Sequence, residues 1–154
     1  NPVAALEDRE TYSFWEHFQL ISPHKTHEEG WFLMQTRWML YMEEGSTLRL
    51  MVGIPRRWLE DGNCIEIDGM ATYFGRLKVK IESQAGRGLI RASIEVNRNG
   101  RALDRVLLRL PHPQGTPARR CWGGENEPIP GYDRESETVT IEPCVGKAEV
   151  TLED

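Results

Sequence analysis

Two hydrophobic periods divide the chain. From Thr26 to Gly45 the large apolar residues recur at helical spacing. At about 100° per residue Trp31, Met34, Trp38 and Met42 form one stripe, Phe32, Met39 and Tyr41 widen it, and Leu33 with Leu40 fall opposite. Thr26 and Glu29 form a capping box and Gly45 offers a left-handed stop, so the pattern predicts one helix over 26–45. Steps of three through Tyr12, Trp15, Phe18 and Ile21 predict a shorter helix before Ser22-Pro23. After Gly45 the period is two. Leu48, Leu50 and Val52 alternate with Arg49 and Met51, and the same alternation runs through Ile65–Ile67, Leu77–Ile81, Ile90–Val96, Val106–Leu110, Val139–Ile141 and Ala148–Leu152. Asp61-Gly62, Gln84 to Gly88 and Asn99-Gly100 suit tight reversals, and Pro55 to Glu60 reads as a single helical turn.

Short, regularly spaced strands with strict alternation predict a mainly β protein with two antiparallel sheets face to face, a β-sandwich compatible with a jelly-roll order. One or two N-terminal helices precede it. The division is a helical lead-in over 1–45 and a sandwich over 46–154.

The helix over 26–45 is apolar all round and must be covered all round. Each large side chain withdrawn from water is worth about 1.5–3 kcal/mol, and a small sheet protein covers only one face of a helix. The expectation is a chain cut from a larger protein. Residues 1–45 would be the remnant of an upstream α-helical domain, with Trp31, Met34, Trp38 and Met42 as the interface. A second copy of the chain, forming a homodimer, is the other cover to consider.

Composition narrows the partners. The 154 residues suit one domain with a real core, and the formal charge of -5 comes from interspersed signs with no basic stripe, which excludes nucleic acid. Gln35 and Arg37 break the longest apolar stretch, which excludes a membrane span. Asn1-Pro2 opens the chain without an initiator Met, as in an excised or processed segment, and compartment is not readable. Cys64, Cys121 and Cys144 are odd in number and widely spaced, with no CxxC, so at most one pair could bridge. Three buried thiols acting as small hydrophobes is the reading, and no metal or cofactor is expected.

Catalytic signatures are missing too. There is no HExxH, P-loop, GxSxG elbow or dinucleotide fingerprint. His17, His24, His27 and His112 are scattered and read as surface or capping groups. Glu28-Glu29 and Glu43-Glu44 fall at the two ends of the predicted helix, without the placement of an acid-base pair. Gly86-Arg87-Gly88 lies between two strands and reads as a turn, while Gly123-Gly124 sits in a long excursion from Cys121 to Asp133. Aromatic residues beside connections remain. Trp58, Tyr73, Phe74 and Trp122 are candidates for stacking on a sugar face; the alternative is that Trp58 and Phe74 plug the gap between sandwich and helix.

Several runs carry a family likeness. His27-Glu28-Glu29-Gly30-Trp31-Phe32, Met34, Arg37-Trp38, Leu48-Arg49-Leu50, Gly53-Ile54-Pro55-Arg56, Trp58-Leu59 and Ala71-Thr72-Tyr73-Phe74-Gly75 resemble the end of bacterial glycoside-hydrolase-like proteins with a six-hairpin, (α/α)6-barrel catalytic domain. Downstream, Glu82-Ser83, Ile90 to Glu95, Val106 to Leu110, His112-Pro113 and Gly115 resemble the β-sandwich that closes such chains. One departure stands at Cys121 to Pro128, where such domains carry a valine-rich strand and an Asn-Gly turn. The resemblance implies that catalytic carboxylates lie upstream and that none transfers here. It makes the main helix the last of the barrel, and this chain a non-catalytic C-terminal accessory of a glycoside hydrolase. A carbohydrate-binding module using the exposed aromatics is the alternative, with carbohydrate as a partner.

Overall fold

The computed structural model describes residues 26–124, 127–142 and 146–154. The chain divides into two compact units, Asn1–Met39 and Leu40–Asp154. The helix expected around Tyr12 to Ile21 lies outside the described residues, as do His17, His24 and Cys144.

Helix α1 spans Thr26–Leu40, so it ends at Leu40 and not at Gly45. Tyr41–Glu44 is instead the first strand, β1, folded back on β2 (Thr47–Leu50) with Tyr41 opposite Leu50 and Glu44 opposite Thr47. Gly45 has φ 62 and is the first central residue of the two-residue turn, the place a type II′ hairpin reserves for glycine. Sheet pairing has overridden helical propensity here. Tyr41 is buried at the head of a row running through Leu50, Leu108 and Val139, a gain that one further helical turn would forgo.

The remaining strands are β3 (Cys64–Thr72), β4 (Gly75–Gln84), β5 (Leu89–Arg98), β6 (Arg105–Arg109), β7 (Arg120–Trp122), β8 (Tyr132–Asp133), β9 (Thr138–Ile141) and β10 (Lys147–Glu153). They form two five-stranded sheets, ordered β1-β2-β6-β9-β8 and β3-β4-β5-β10-β7. All pairs are antiparallel except β2 with β6, which is parallel, so the first sheet is mixed rather than purely antiparallel. The chain leaves β2, builds three strands of the second sheet, and returns to β6 in the same direction. For that reason Asn99-Gly100 is not a hairpin tip but the start of a crossover between sheets.

Each sheet buries one face. Leu48, Leu50, Val106, Leu108 and Val139 line the first; Leu77, Val79, Ile81, Ile90, Ala92, Ile94, Val96, Val150 and Leu152 line the second. These are the residues whose period-two alternation predicted a sandwich. The predicted alternation fails after Leu50. Met51 takes φ 59 and is fully buried, and Val52 is turned out to 43% exposure. One left-handed residue lets two neighbours in sequence both face the core. Its backbone cost, about 1–3 kcal/mol, is offset by burial of the Met51 side chain.

Hydrogen bonds tie the sheets at both sides. The Tyr41 hydroxyl donates to the Ala71 carbonyl at 3.5 Å, and Tyr73 N–H donates to Glu43 Oε1 at 3.2 Å. Across the molecule, Ala118 N–H donates to the Tyr132 hydroxyl at 3.2 Å. The predicted turn after Pro55 is a 3-10 turn, Arg56–Leu59, with Leu59 buried. Ser83, on the inner face of β4, donates to the Leu59 carbonyl at 2.6 Å, which satisfies a polar group that the alternation puts inside. Among the described residues no helix is long and apolar enough to cross a membrane.

Candidate functional site

The four aromatic candidates do not share a surface. Phe74 is 1% exposed and belongs to the core, which corrects its reading as a stacking ring. It follows Tyr73 in the tight β3–β4 connection, where the crossover after β5 closes over the backbone and Arg101 N–H donates to the Tyr73 carbonyl at 2.7 Å. Tyr73 itself is 58% exposed, but the Arg101 guanidinium lies over its ring at 4.9 Å and occupies one face. Trp58 is half-buried on the 3-10 turn, in a shallow depression with Arg57, Glu60, Asn63, Cys64 and Ile65. Trp122 is half-buried on β7. The 3-10 turn adjoins β3, and β3 and β7 are opposite edges of one five-stranded sheet. At roughly 4.8 Å per strand these edges stand about 19 Å apart, so Trp58 and Trp122 belong to separate sites.

Trp122 sits in the better-formed cleft, of about 470 Å³, lined by Arg119, Arg120, Cys121, Trp122 and Pro128. One side of β7 pairs with β10, Trp122 opposite Thr151 and Arg120 opposite Glu153. On its other side Trp122 bridges Pro128, Ile129 N–H donates to the Cys121 carbonyl at 3.0 Å, and Gly123 N–H donates to the Glu127 carbonyl at 2.7 Å. The excursion from Cys121 to Asp133 thus opens with a local antiparallel reversal despite its unusual sequence. Arg120 and Trp122 share the outer face. Cys121 lies opposite Leu152 on the inner one, and burial pushes its thiol from 9.0 up to about 11. Cys64, by contrast, is exposed, which corrects its reading as a buried thiol. With Ile65 and Ile67 turned inward, the alternation of edge strand β3 puts Cys64 outside.

Sequence reasoning missed a buried polar cluster on the first sheet. Glu137 is 5% exposed with φ 52, and its Oε1 accepts from Arg56 Nη1 at 2.6 Å and from His112 N–H at 3.2 Å. Arg109 Nη2 approaches its Oε2 at 3.8 Å, and Arg56 also donates to the His112 carbonyl at 2.8 Å. The Glu137 carboxylate holds the Arg56 guanidinium above its ordinary value, chiefly through their hydrogen bond. His112 is buried, not at the surface. Its Nδ1 accepts from Gln114 and Thr116 N–H at 3.3 and 3.4 Å, so it does cap its own loop, and the proton is assigned to Nε2. That nitrogen stands 3.1 Å from Asp154 Oδ2 without hydrogen-bond alignment.

With its donors in place, Glu137 has the form of a clamp between the 3-10 turn, β6 and the start of β9. Removing the carboxylate leaves the Arg56 guanidinium without its counter-ion and the buried His112 N–H without its acceptor. Glu137→Ala is expected to cost about 3 kcal/mol, the low end for a broken buried pair because Arg56 is 43% exposed. Urea unfolding would read the loss, and one below about 1 kcal/mol would contradict the clamp.

The interface candidates are placed differently from one another. Trp31, Met34 and Trp38 on α1 are 51%, 37% and 40% exposed, with Phe32 at 38% and Leu33 at 67%. Met42 is not on that stripe. It lies half-buried on β1 opposite Arg49, whose side chain pairs with Glu44 at 2.6 Å. Glu43 and Glu44 are therefore strand residues with partners, not a solvated pair at a helix end. Among the described residues no three His, Cys, Asp or Glu side chains gather as a metal-holding group.

No protein-family profile and no curated protein matches the chain. Among solved structures it is similar to a GH127 β-L-arabinofuranosidase from Geobacillus stearothermophilus T6, with 14% identity and a TM-score of 0.41. The match covers 99% of this chain and 22% of that enzyme, so the chain spans about a fifth of its length. A likeness of that order carries no argument about activity. What the described residues define is a mainly β protein of two five-stranded sheets.

Proposed function

We propose that this chain is a non-catalytic accessory β-sandwich of a carbohydrate-active polypeptide, and that α1 seats it on an upstream α-helical catalytic domain. The observation that carries the reading is the exposure of Trp31, Phe32, Leu33, Met34 and Trp38 on a single helix. Five large apolar side chains left that open are far more than scattered surface hydrophobics, and they ask for a cover. The resemblance of the runs around Trp31, Pro55 and Tyr73 to the end of six-hairpin glycosidases supplies the kind of cover. In this reading the sandwich stabilises the barrel and contributes no catalytic carboxylate.

Expressing the longer polypeptide with and without residues 26–154 tests it. The deletion is expected to lower the melting temperature of the remaining domain by about 5 °C or more, since each kcal/mol lost moves a unit of 150–250 residues by about 2–4 °C. The 154-residue chain alone is expected to turn over no aryl glycoside. Turnover by the chain alone, or an unchanged melting temperature, would count against the proposal.

A further inference from the structure

We propose that the cleft along β7 binds an acidic sugar: a pyranose ring stacked on Trp122 with its single carboxylate held by Arg119 and Arg120. The choice of a sugar over another carboxylate rests on the carbohydrate setting proposed above, while the cleft stands on its own geometry. Three observations carry the inference.

First, the cleft of about 470 Å³ is within the range of small-ligand sites. It joins an indole ring to two guanidinium groups. An aromatic ring offers its face to the C–H groups of a pyranose, and the planar fork of arginine matches a carboxylate.

Second, the strand sets the spacing. Arg120 and Trp122 are two residues apart on the outer face of β7, which puts them roughly 7 Å apart along the strand. A ring stacked on the indole would bring the carboxylate at its rim toward Arg120. Pro128, bridged to Trp122, also lines the cleft.

Third, the charge balance fits one carboxylate. Arg120 lies 3.6 Å from Glu153 and is partly neutralised by it, with both side chains open to water. Among the described residues Arg119 has no carboxylate within ion-pair distance, and neighbouring Glu149 is held by Lys147 at 2.7 Å. At this cleft, among the described residues, that leaves the Arg119 guanidinium as a positive charge without a carboxylate partner. That surplus favours an isolated acidic residue and disfavours a long phosphate polyanion.

The test uses the 154-residue chain and a matched pair of probes, methyl glucuronide and methyl glucoside, which differ in a carboxylate against a hydroxymethyl group. Titration is followed by the Trp122 indole N–H resonance. Methyl glucuronide is expected to bind with a dissociation constant of about 1 mM, and the glucoside at least tenfold more weakly, a difference of about 1.4 kcal/mol. Arg119→Gln, at an exposed position, is expected to keep the spectrum of the folded chain and to bring the glucuronide down to the glucoside. Equal binding of the two glycosides, no shift of the Trp122 resonance with either, or tighter binding of a dinucleotide would each overturn the proposal. None of these outcomes bears on the melting temperature of the longer polypeptide, so failure here is distinguishable from failure of the accessory role.

Discussion

Gly75→Ala is expected to cost about 4 kcal/mol or more, at the extreme of what single substitutions do. Gly75 opens β4 with φ +134, a conformation that L side chains rarely adopt, and its backbone runs tight against the end of β5. A Cβ there would stand 1.7 Å from the Asn97 carbonyl oxygen and 2.8 Å from its carbon. Both are backbone atoms of the paired strand and cannot swing away as a side chain could. The β4–β5 ladder would have to open at this end, releasing the Gly75 to Arg98 pairing and disturbing the Thr72 hydroxyl, which donates to the Gly75 carbonyl at 2.6 Å. Against a total stability of about 5–15 kcal/mol such a loss is severe. A urea midpoint close to that of the unaltered chain would mean that the β3–β4 connection is built differently.

Phe74→Ala is the second large effect, expected at about 3–5 kcal/mol from lost transfer free energy and the cavity left behind. The neighbouring Tyr73→Ala is its control. Tyr73 is 58% exposed and its described ring partner is Arg101, so its loss is expected near 1 kcal/mol. Two adjacent aromatic residues should therefore differ severalfold in denaturant unfolding. Comparable losses at both would contradict the burial of Phe74.

Phe74 also illustrates what the sequence did not disclose. Two aromatics before a glycine at a reversal look like loop residues, and only the crossover after β5 decides that one of them turns inward. Gly100 makes that close approach feasible, because a Cβ there would lie 2.3 Å from the Tyr73 carbonyl oxygen. Strands β3 to β6, β9 and β10 were legible because each buries one face and leaves the other wet, so the alternation records the fold directly. The end of α1 was not. Tyr41 to Glu44 fit a helical stripe and a hairpin arm equally well, and pairing with β2 is a long-range term that a local period does not contain. Short strands β7 and β8 gave too few alternations to register.

Glu137 shows the opposite case, a signal present but not used. It precedes Val139 and Ile141 at the same parity, so the alternation had already placed a carboxylate on the inner face, and a buried carboxylate requires donors. Arg56 and Arg109 come from distant parts of the chain, so the partners themselves were not readable. Likewise Trp122 could be named from its place beside a long connection. The arginines that give its cleft a chemistry became meaningful only once β7 was set at the sheet edge.

Helix α1 is proposed above as a docking surface for an upstream helical domain. Hydroxyl-radical footprinting of Trp31, Leu33, Met34 and Trp38 tests it most directly, comparing the isolated chain at low and high concentration with the longer polypeptide. Strong modification of all four is expected in the isolated chain at both concentrations, with marked protection in the longer polypeptide. Equal modification in the two, or protection that grows with concentration of the isolated chain, would contradict the proposal.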